Sequence, residues 1–125
     1  MKKTSLAAFG ARACAAALLL TCAQWASAHA YPKHRAPGAG STVGVDTREV
    51  SIEFDDALEG AFSSLKVTDS AGKDVTDGKS NIDAHDKKHM TVALAPLKPG
   101  TYTVSWVAVA ADGHRTQGHY AFNVK

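Results

Sequence analysis

Cysteine, methionine and tryptophan are scarce in this sequence of 125 residues, which contains two of each. Both cysteines, Cys14 and Cys22, fall within the first 28 residues, so residues 29–125 contain none. A disulfide or a thiolate metal site is therefore excluded from residues 29–125. No run in this part approaches the roughly 20 consecutive apolar residues that a membrane-spanning helix needs, so we expect it to be soluble.

The first 28 residues have the pattern of a secretory signal peptide. Lys2 and Lys3 give a positive start, an apolar run extends from Ala13 to Ala23, and Ala26-Ser27-Ala28 is a small-residue cleavage site. We therefore expect residues 1–28 to be removed on export to the periplasm. The remaining residues 29–125 are sufficient for one small domain with its own core.

Loss of this segment also changes the charge of the protein. Without Lys2, Lys3 and Arg12 the number of basic side chains falls from 14 to 11 against 12 acidic ones, and the formal charge becomes −1. A nearly neutral domain has no electrostatic footprint for nucleic acid and no polybasic patch for anionic lipid. Nucleic acid is therefore excluded as a partner.

Apolar residues alternate with polar ones along most of residues 29–125, which is typical of strands with one solvated face. In the first such stretch Val50, Ile52 and Phe54 alternate with polar residues. Further strands are predicted at residues 62–69, 90–94, 102–106 and 120–124, with Gly and Pro turn signals between them. The pattern predicts an all-β fold, an immunoglobulin-like β-sandwich of about seven strands.

The stretch from Trp106 to Ala111 departs from this alternation. Val107 and Val109 are apolar on the face opposite Trp106. Either a bulge shifts the phase of the strand here, or both of its faces are covered.

His29 becomes the first residue of the domain once residues 1–28 are removed. The free α-amine and the imidazole Nδ1 of a terminal histidine can close one six-membered chelate ring on a metal, which no internal histidine can do. The alternative is that His29 begins the domain without any such role.

A second candidate is Asp112-Gly113-His114, between the last two predicted strands. In an extended segment, side chains two residues apart point the same way, so the carboxylate and the imidazole can converge on one point. Gly113 lets a metal approach closely. The alternative is an ordinary Asp-Gly hairpin turn with no ligand.

Together the two candidates supply one amine, two imidazoles and one carboxylate. Three nitrogens and one oxygen without sulfur suit a tetragonal Cu(II) site. Nothing in the sequence by itself places His29 beside residues 112–114.

The order of residues along the whole domain carries a resemblance to a known family. It rests on the initial His29 with Pro37 and Gly40, on Phe54, on Gly100 to Trp106, and on Asp112-Gly113-His114 with Gly118, Phe122 and Val124. In these features the domain resembles the CopC-type periplasmic copper-binding proteins of bacterial copper resistance.

This resemblance implies a Greek-key β-sandwich and one Cu(II) ion per chain. It implies that His29, through its amine and ring, binds the ion together with Asp112 and His114. It also implies a copper carrier or buffer in copper homeostasis and resistance, which passes copper to or from an inner-membrane protein of the CopD type.

Two features depart from the family pattern. Some members also bind Cu(I) through a methionine-rich loop, whereas Met90 is the only methionine of residues 29–125 and alternates with Val92 and Leu94. We therefore assign Met90 to the core and predict binding of Cu(II) alone. The segment Arg115 to Gln117 stands where a more apolar, proline-containing segment is expected.

Four other histidines are further candidates. His85 and His89 flank a polar stretch and could form a weak second site with a neighbouring aspartate, the alternative being a solvated loop. His34 is the sixth residue of the domain, whereas the compact amino-terminal copper motif requires histidine at the third. His119 is predicted to face solvent, from where it could still assist His114.

No nucleophile, base and acid set and no nucleotide-binding loop is present, so we predict that the protein is not an enzyme. Two other hypotheses remain. One is a small enzyme similar to copper monooxygenases that use an amino-terminal histidine, although Asp112 as a ligand would occupy a position that oxygen chemistry needs open. The other is a metal-free interaction module.

Overall fold

The computed structural model describes residues 29–125, which form eight strands. The strands are β1 (Pro32–Ala36), β2 (Thr42–Val43), β3 (Glu49–Phe54), β4 (Ser64–Thr68), β5 (Asn81–Ile82), β6 (His89–Ala93), β7 (Gly100–Val109) and β8 (Arg115–Val124). Within this part of the chain no helix is long and apolar enough to cross a membrane. The predicted signal peptide, residues 1–28, lies outside the described residues.

The strands form two four-stranded sheets that enclose a common core. One sheet has the order β1-β3-β6-β5 and the other the order β2-β8-β7-β4. All paired strands are antiparallel except β2 and β8. The predicted all-β sandwich is thus confirmed, but with eight strands in place of about seven. The sequence pattern missed β2 and β5 because two residues are too few to show an alternation, and β1 because its residues are mostly polar and exposed.

The core consists of the inward-facing residues of both sheets. Phe54 on β3 and Phe122 on β8 are among the largest side chains that are fully enclosed. The ring of Phe54 meets Trp106 edge to face, with 5.5 Å between ring centroids. Burial of each such side chain contributes about 1.5–3 kcal/mol to the free energy of unfolding. Met90 is also completely buried, which confirms its assignment to the core.

The two longest strands, β7 and β8, form one hairpin that presents the 112–114 turn. Their pairing is continuous from Gly100 opposite Val124 to Val109 opposite Arg115, so the suggested bulge after Trp106 is wrong. Val107 and Val109 instead lie half-buried on the outer face of the sheet, close to the exposed ring of Phe62. This unbroken hairpin fixes where the turn lies relative to the core.

Candidate metal centre

The amino-terminal segment, residues 29–31, is attached to both sheets. The hydroxyl of Thr116 on β8 donates a hydrogen bond to the carbonyl oxygen of Ala30. The backbone N–H of Tyr31 donates to the carboxylate of Asp55 over 2.7 Å, and the Asp55 N–H donates to the Tyr31 carbonyl over 3.0 Å. Ala30 is completely buried. His29 therefore directly precedes a residue that is fixed in the fold.

The turn between β7 and β8 brings Asp112 and His114 into direct contact. One oxygen of the Asp112 carboxylate accepts the backbone N–H of His114 over 3.0 Å, and the other lies 2.7 Å from the ring Nδ1 of His114. Gly113 has a φ of +87°, in the left-handed region that favours glycine. The two side chains meet because Asp112 folds back over a tight turn. The predicted reason, an extended segment with parallel side chains, is wrong.

Electrostatic contacts keep Asp112 ionised. The backbone N–H of His114 is the largest cause that lowers the pKa of Asp112 below its ordinary value, and the hydrogen bond to the His114 ring is the next. The nearby charges of His114 and His29 act in the same direction. An ionised carboxylate only accepts hydrogen bonds, so Nδ1 of His114 is the donor in this pair. A metal that displaced the Nδ1 proton would find this nitrogen and the carboxylate oxygen 2.7 Å apart, close enough to act as two neighbouring ligands of one ion with bonds of about 2.0 Å.

The ring of His29 lies beside the ring of His114. The centroids of the two imidazole rings are 4.8 Å apart, with an angle of 48° between the planes. Two imidazole nitrogens that bind one ion at about 2.0 Å place their rings at roughly this separation. The structure thus brings together all three residues that the sequence singled out, and we refer to His29, Asp112 and His114 as the terminal cluster.

Side chains alone do not complete a metal site here. Among residues 29–125 no group of three or more His, Cys, Asp or Glu side chains is arranged to hold a metal ion. The terminal cluster is a chain of contacts in which His114 touches both other residues. Its remaining candidate donor is the α-amine of His29, which belongs to the backbone and is free only when no residue precedes it.

The other four histidines lie away from these contacts. His34 on β1 and His119 on β8 are exposed, and the outward position of His119 agrees with its prediction. We refer to the polar stretch between β5 and β6, together with the first residue of β6, as the loop cluster. It contains Asp83, His85, Asp86 and His89.

The carboxylates of the loop cluster bind the backbone of their own loop. Asp83 accepts the N–H of His85 over 2.8 Å, which is the largest cause that lowers the pKa of Asp83. Asp86 accepts the N–H of Lys88 over 3.2 Å, and its other oxygen lies 3.9 Å from Nδ1 of His89. This arrangement agrees with a solvated loop.

Two residues that contact the segment after His29 were not recognised in the sequence. Thr116 occupies an inward position of β8, in alternation with Tyr120 and Phe122. A polar residue at an inward position is a signal that could have been noticed. Asp55 directly follows β3 and carries no such signal, because its role depends on the distant backbone of Tyr31.

A comparison with protein families finds a match to the CopC domain over residues 33–125. The chain belongs to the CopC family. Solved structures of the family agree in fold: CopC from Methylosinus trichosporium OB3b has a TM-score of 0.72 at 29% identity, covering 78% of this chain and 94% of that one. PcoC from Escherichia coli has a TM-score of 0.69 at 34% identity, covering 78% of this chain and all of PcoC.

Two curated relatives differ in how much of their length is matched. Protein YobA of Escherichia coli K12 is 38% identical over 108 residues, which are 86% of each protein. The copper transport protein CutJ of Bacillus subtilis 168 is 36% identical over 98 residues, which are 78% of this chain but 18% of CutJ. A CopC-like chain therefore corresponds to a small part of CutJ.

Family membership also bears on the hypotheses about activity. CopC proteins are copper-binding resistance proteins and not enzymes, so the prediction that this chain is not an enzyme is confirmed. PcoC is described as a methionine-rich copper resistance protein, whereas residues 29–125 of this chain contain only the buried Met90.

Proposed function

We propose that residues 29–125 form a periplasmic Cu(II)-binding protein that acts as a copper carrier or buffer in copper homeostasis and resistance. One ion binds at the terminal cluster, with His29, Asp112 and His114 as its protein ligands. The observation that supports this most directly is the 4.8 Å approach of the His29 ring to the His114 ring, with Asp112 beside it, in a member of the CopC family.

The donor set favours Cu(II) over other ions. The amine and ring of His29, the ring of His114 and the carboxylate of Asp112 supply three nitrogens and one oxygen, which suit a tetragonal site. Cu(I) prefers thiolate and thioether sulfur. Residues 29–125 contain no cysteine, and the sulfur of Met90 is buried in the core.

The exposure of the cluster suits a carrier. The side chain of His114 is 59% exposed and that of Asp112 is 33% exposed, so an ion held between them is accessible from solvent. We propose that copper passes to or from an inner-membrane protein of the CopD type. The match to only 18% of the copper transport protein CutJ supports a role in which a CopC-like domain works with a larger transport protein.

Removal of residues 1–28 is part of the proposed mechanism. Cleavage after Ala28 frees the amine of His29, so the complete ligand set exists only after export. The precursor is accordingly expected to bind Cu(II) more weakly than the processed protein. A precursor with the same affinity as the processed form would contradict this step.

The proposal is tested by Cu(II) titration, with chelator competition, of processed protein carrying His29→Ala or His114→Ala. Removal of either ring is expected to weaken binding by more than about 100-fold, since loss of residues that only support metal ligands already costs 10- to 100-fold. His119→Ala, an exposed histidine on the same strand as Thr116, is the matched control and should bind like the wild type. Wild-type affinity in both cluster variants would reject the proposed site and place the copper ligands elsewhere, whereas absence of Cu(II) binding by the wild-type protein would favour the metal-free interaction module.

A further inference from the structure

Thr116 is one of two polar residues that are buried within residues 29–125, the other being Ser63. It lies on β8 opposite Ala108 of β7, and its side chain faces the inside of the sandwich. A hydroxyl group in such a position is costly unless it forms a hydrogen bond. Its partner is the carbonyl oxygen of Ala30, 86 residues earlier in the chain.

The hydroxyl of Thr116 donates its hydrogen bond to the amino-terminal segment and not to the neighbouring strand of its own sheet. A second carbonyl, that of Ala108, lies 3.5 Å from the same oxygen, at the limit of a hydrogen bond. Because a hydroxyl has a single proton to donate, the much closer Ala30 carbonyl receives it. The bond therefore connects the strand that follows His114 to the residue that follows His29.

Opposite sheets fix the two residues after His29. Thr116 holds the Ala30 carbonyl from β8, while Asp55, directly after β3, binds both backbone groups of Tyr31. The methyl group of Ala30 is enclosed in the core. These contacts fix the point from which His29 extends, which limits how far its amine and ring can lie from His114.

We propose that Thr116 is a positioning residue for the copper site, which holds His29 in reach of His114 before the ion arrives. This inference rests on the proposed function, because it assigns to Thr116 the preorganisation of the chelate formed by the His29 amine and ring. Ordering a free terminus costs backbone entropy. A site whose ligands are already in place avoids that cost and binds more tightly.

The first test compares Cu(II) binding by processed wild-type protein, Thr116→Val and Thr116→Ser. Valine has nearly the shape of threonine but lacks the hydroxyl that donates to the Ala30 carbonyl. Because His29 is then held less firmly, Thr116→Val is expected to weaken Cu(II) binding about five- to tenfold. It is also expected to change the electron paramagnetic resonance spectrum of bound Cu(II). Serine retains the hydroxyl and is expected to restore both the affinity and the spectrum.

Ser63→Ala is the matched control. The Ser63 hydroxyl is equally buried and accepts the backbone N–H of Val109 on β7 over 3.0 Å. Its loss is expected to lower the stability of the fold without changing the affinity or spectrum of bound Cu(II). If Ser63→Ala and Thr116→Val weaken copper binding equally, the role of Thr116 is only structural and the proposal is overturned.

A measurement without metal separates this inference from the proposed function. The nuclear Overhauser contact between the ring protons of His29 and His114 should be present in metal-free wild type and Thr116→Ser, and weaker in Thr116→Val. A folded Thr116→Val protein with an unchanged ring contact and unchanged Cu(II) affinity would overturn the inference while leaving the proposed ligands intact. Loss of the ring contact together with wild-type copper binding would show that preorganisation does not set the affinity, and it would likewise overturn the inference alone. The proposed ligands are rejected only if His29→Ala and His114→Ala retain the wild-type affinity.

Discussion

The terminal cluster and the loop cluster contain similar side chains but differ in how those side chains are held. In both clusters each aspartate accepts a backbone N–H from the residue two positions further along the chain. In the terminal cluster, residues from the two ends of the domain also meet, and one buried and one exposed hydrogen bond, from different sheets, hold the two residues that follow His29. The two clusters therefore differ in one respect: the tertiary fold adds a residue distant in sequence, His29, to the terminal cluster, whereas the loop cluster consists of neighbours in sequence.

Acidification should have the largest effect on the terminal cluster. Its amine and both imidazoles must be deprotonated to bind metal, so we expect Cu(II) affinity to fall by roughly four to five decades between pH 7 and pH 5. Asp112 adds nothing in this range: the His114 N–H lowers its pKa below the ordinary 3.8, so its charge is lost only at still lower pH. Chelator competition at both pH values measures the effect. Unchanged affinity at pH 5 would argue against an amine and imidazole site.

The second largest effect is expected for an aspartate of the terminal cluster, and a matched variant in the loop cluster provides the comparison. Asp112→Asn removes the negative charge beside His114 and is expected to weaken Cu(II) binding about 10- to 100-fold. Asp86→Asn makes the same change beside His89, where the ring nitrogen is 3.9 Å away, and is expected to leave binding unchanged. Isothermal titration of the two proteins at pH 7 distinguishes them. A larger loss in Asp86→Asn would move the site to the loop cluster.

Two glycines test whether the turn itself matters. Gly113 has a φ of +87° and Gly78 a φ of +86°, and an added Cβ meets no atom within 4 Å at either position. Alanine should therefore cost about 1 kcal/mol of unfolding free energy in both cases, from backbone strain alone. Only Gly113→Ala is expected to lower Cu(II) affinity, because it disturbs the contact between Asp112 and His114. Denaturant unfolding and copper titration of both variants provide the comparison.

The smallest effect is expected when both histidines of the loop cluster are removed. The double variant His85→Ala and His89→Ala should retain the wild-type Cu(II) affinity and a stoichiometry of one ion. His85 is exposed and His89 is only partly covered, so the fold should tolerate both changes. A fall in stoichiometry, measured by metal analysis after gel filtration, would show that the loop cluster binds copper as well.

The sequence predicted the sandwich because its main strands each have one wet and one dry face. Val50, Ile52 and Phe54 show this alternation clearly, and all three are fully buried. The same logic could not find β1, whose residues are mostly exposed, nor the very short β2 and β5. Alternation of apolar and polar residues is a local signal. It detects strands that bury one face in the core, and it misses short or exposed strands that are held mainly by backbone hydrogen bonds.

Prediction of the candidate site depended on chemistry more than on geometry. The donors His29, Asp112 and His114 are predicted from the metals that amine, imidazole and carboxylate prefer and from the resemblance to the CopC-type proteins. Their approach could not be predicted from spacing, because His29 and residues 112–114 are far apart in the sequence and meet only in the tertiary fold. Asp112 and His114 were expected to meet in an extended segment, whereas the Asp-Gly turn, which the sequence offered as the alternative without a ligand, is what brings them together.

The most direct test of the amino-terminal chelate is a Cu(II) titration of two proteins. One begins at His29, and the other carries a single additional residue before His29. Extension converts the amine into a peptide nitrogen while the rings of His29 and His114 and the carboxylate of Asp112 remain present. We predict a large loss of affinity in the extended protein. Equal binding by the two proteins would contradict the central claim and place the copper site elsewhere, with His85 and His89 the next candidates.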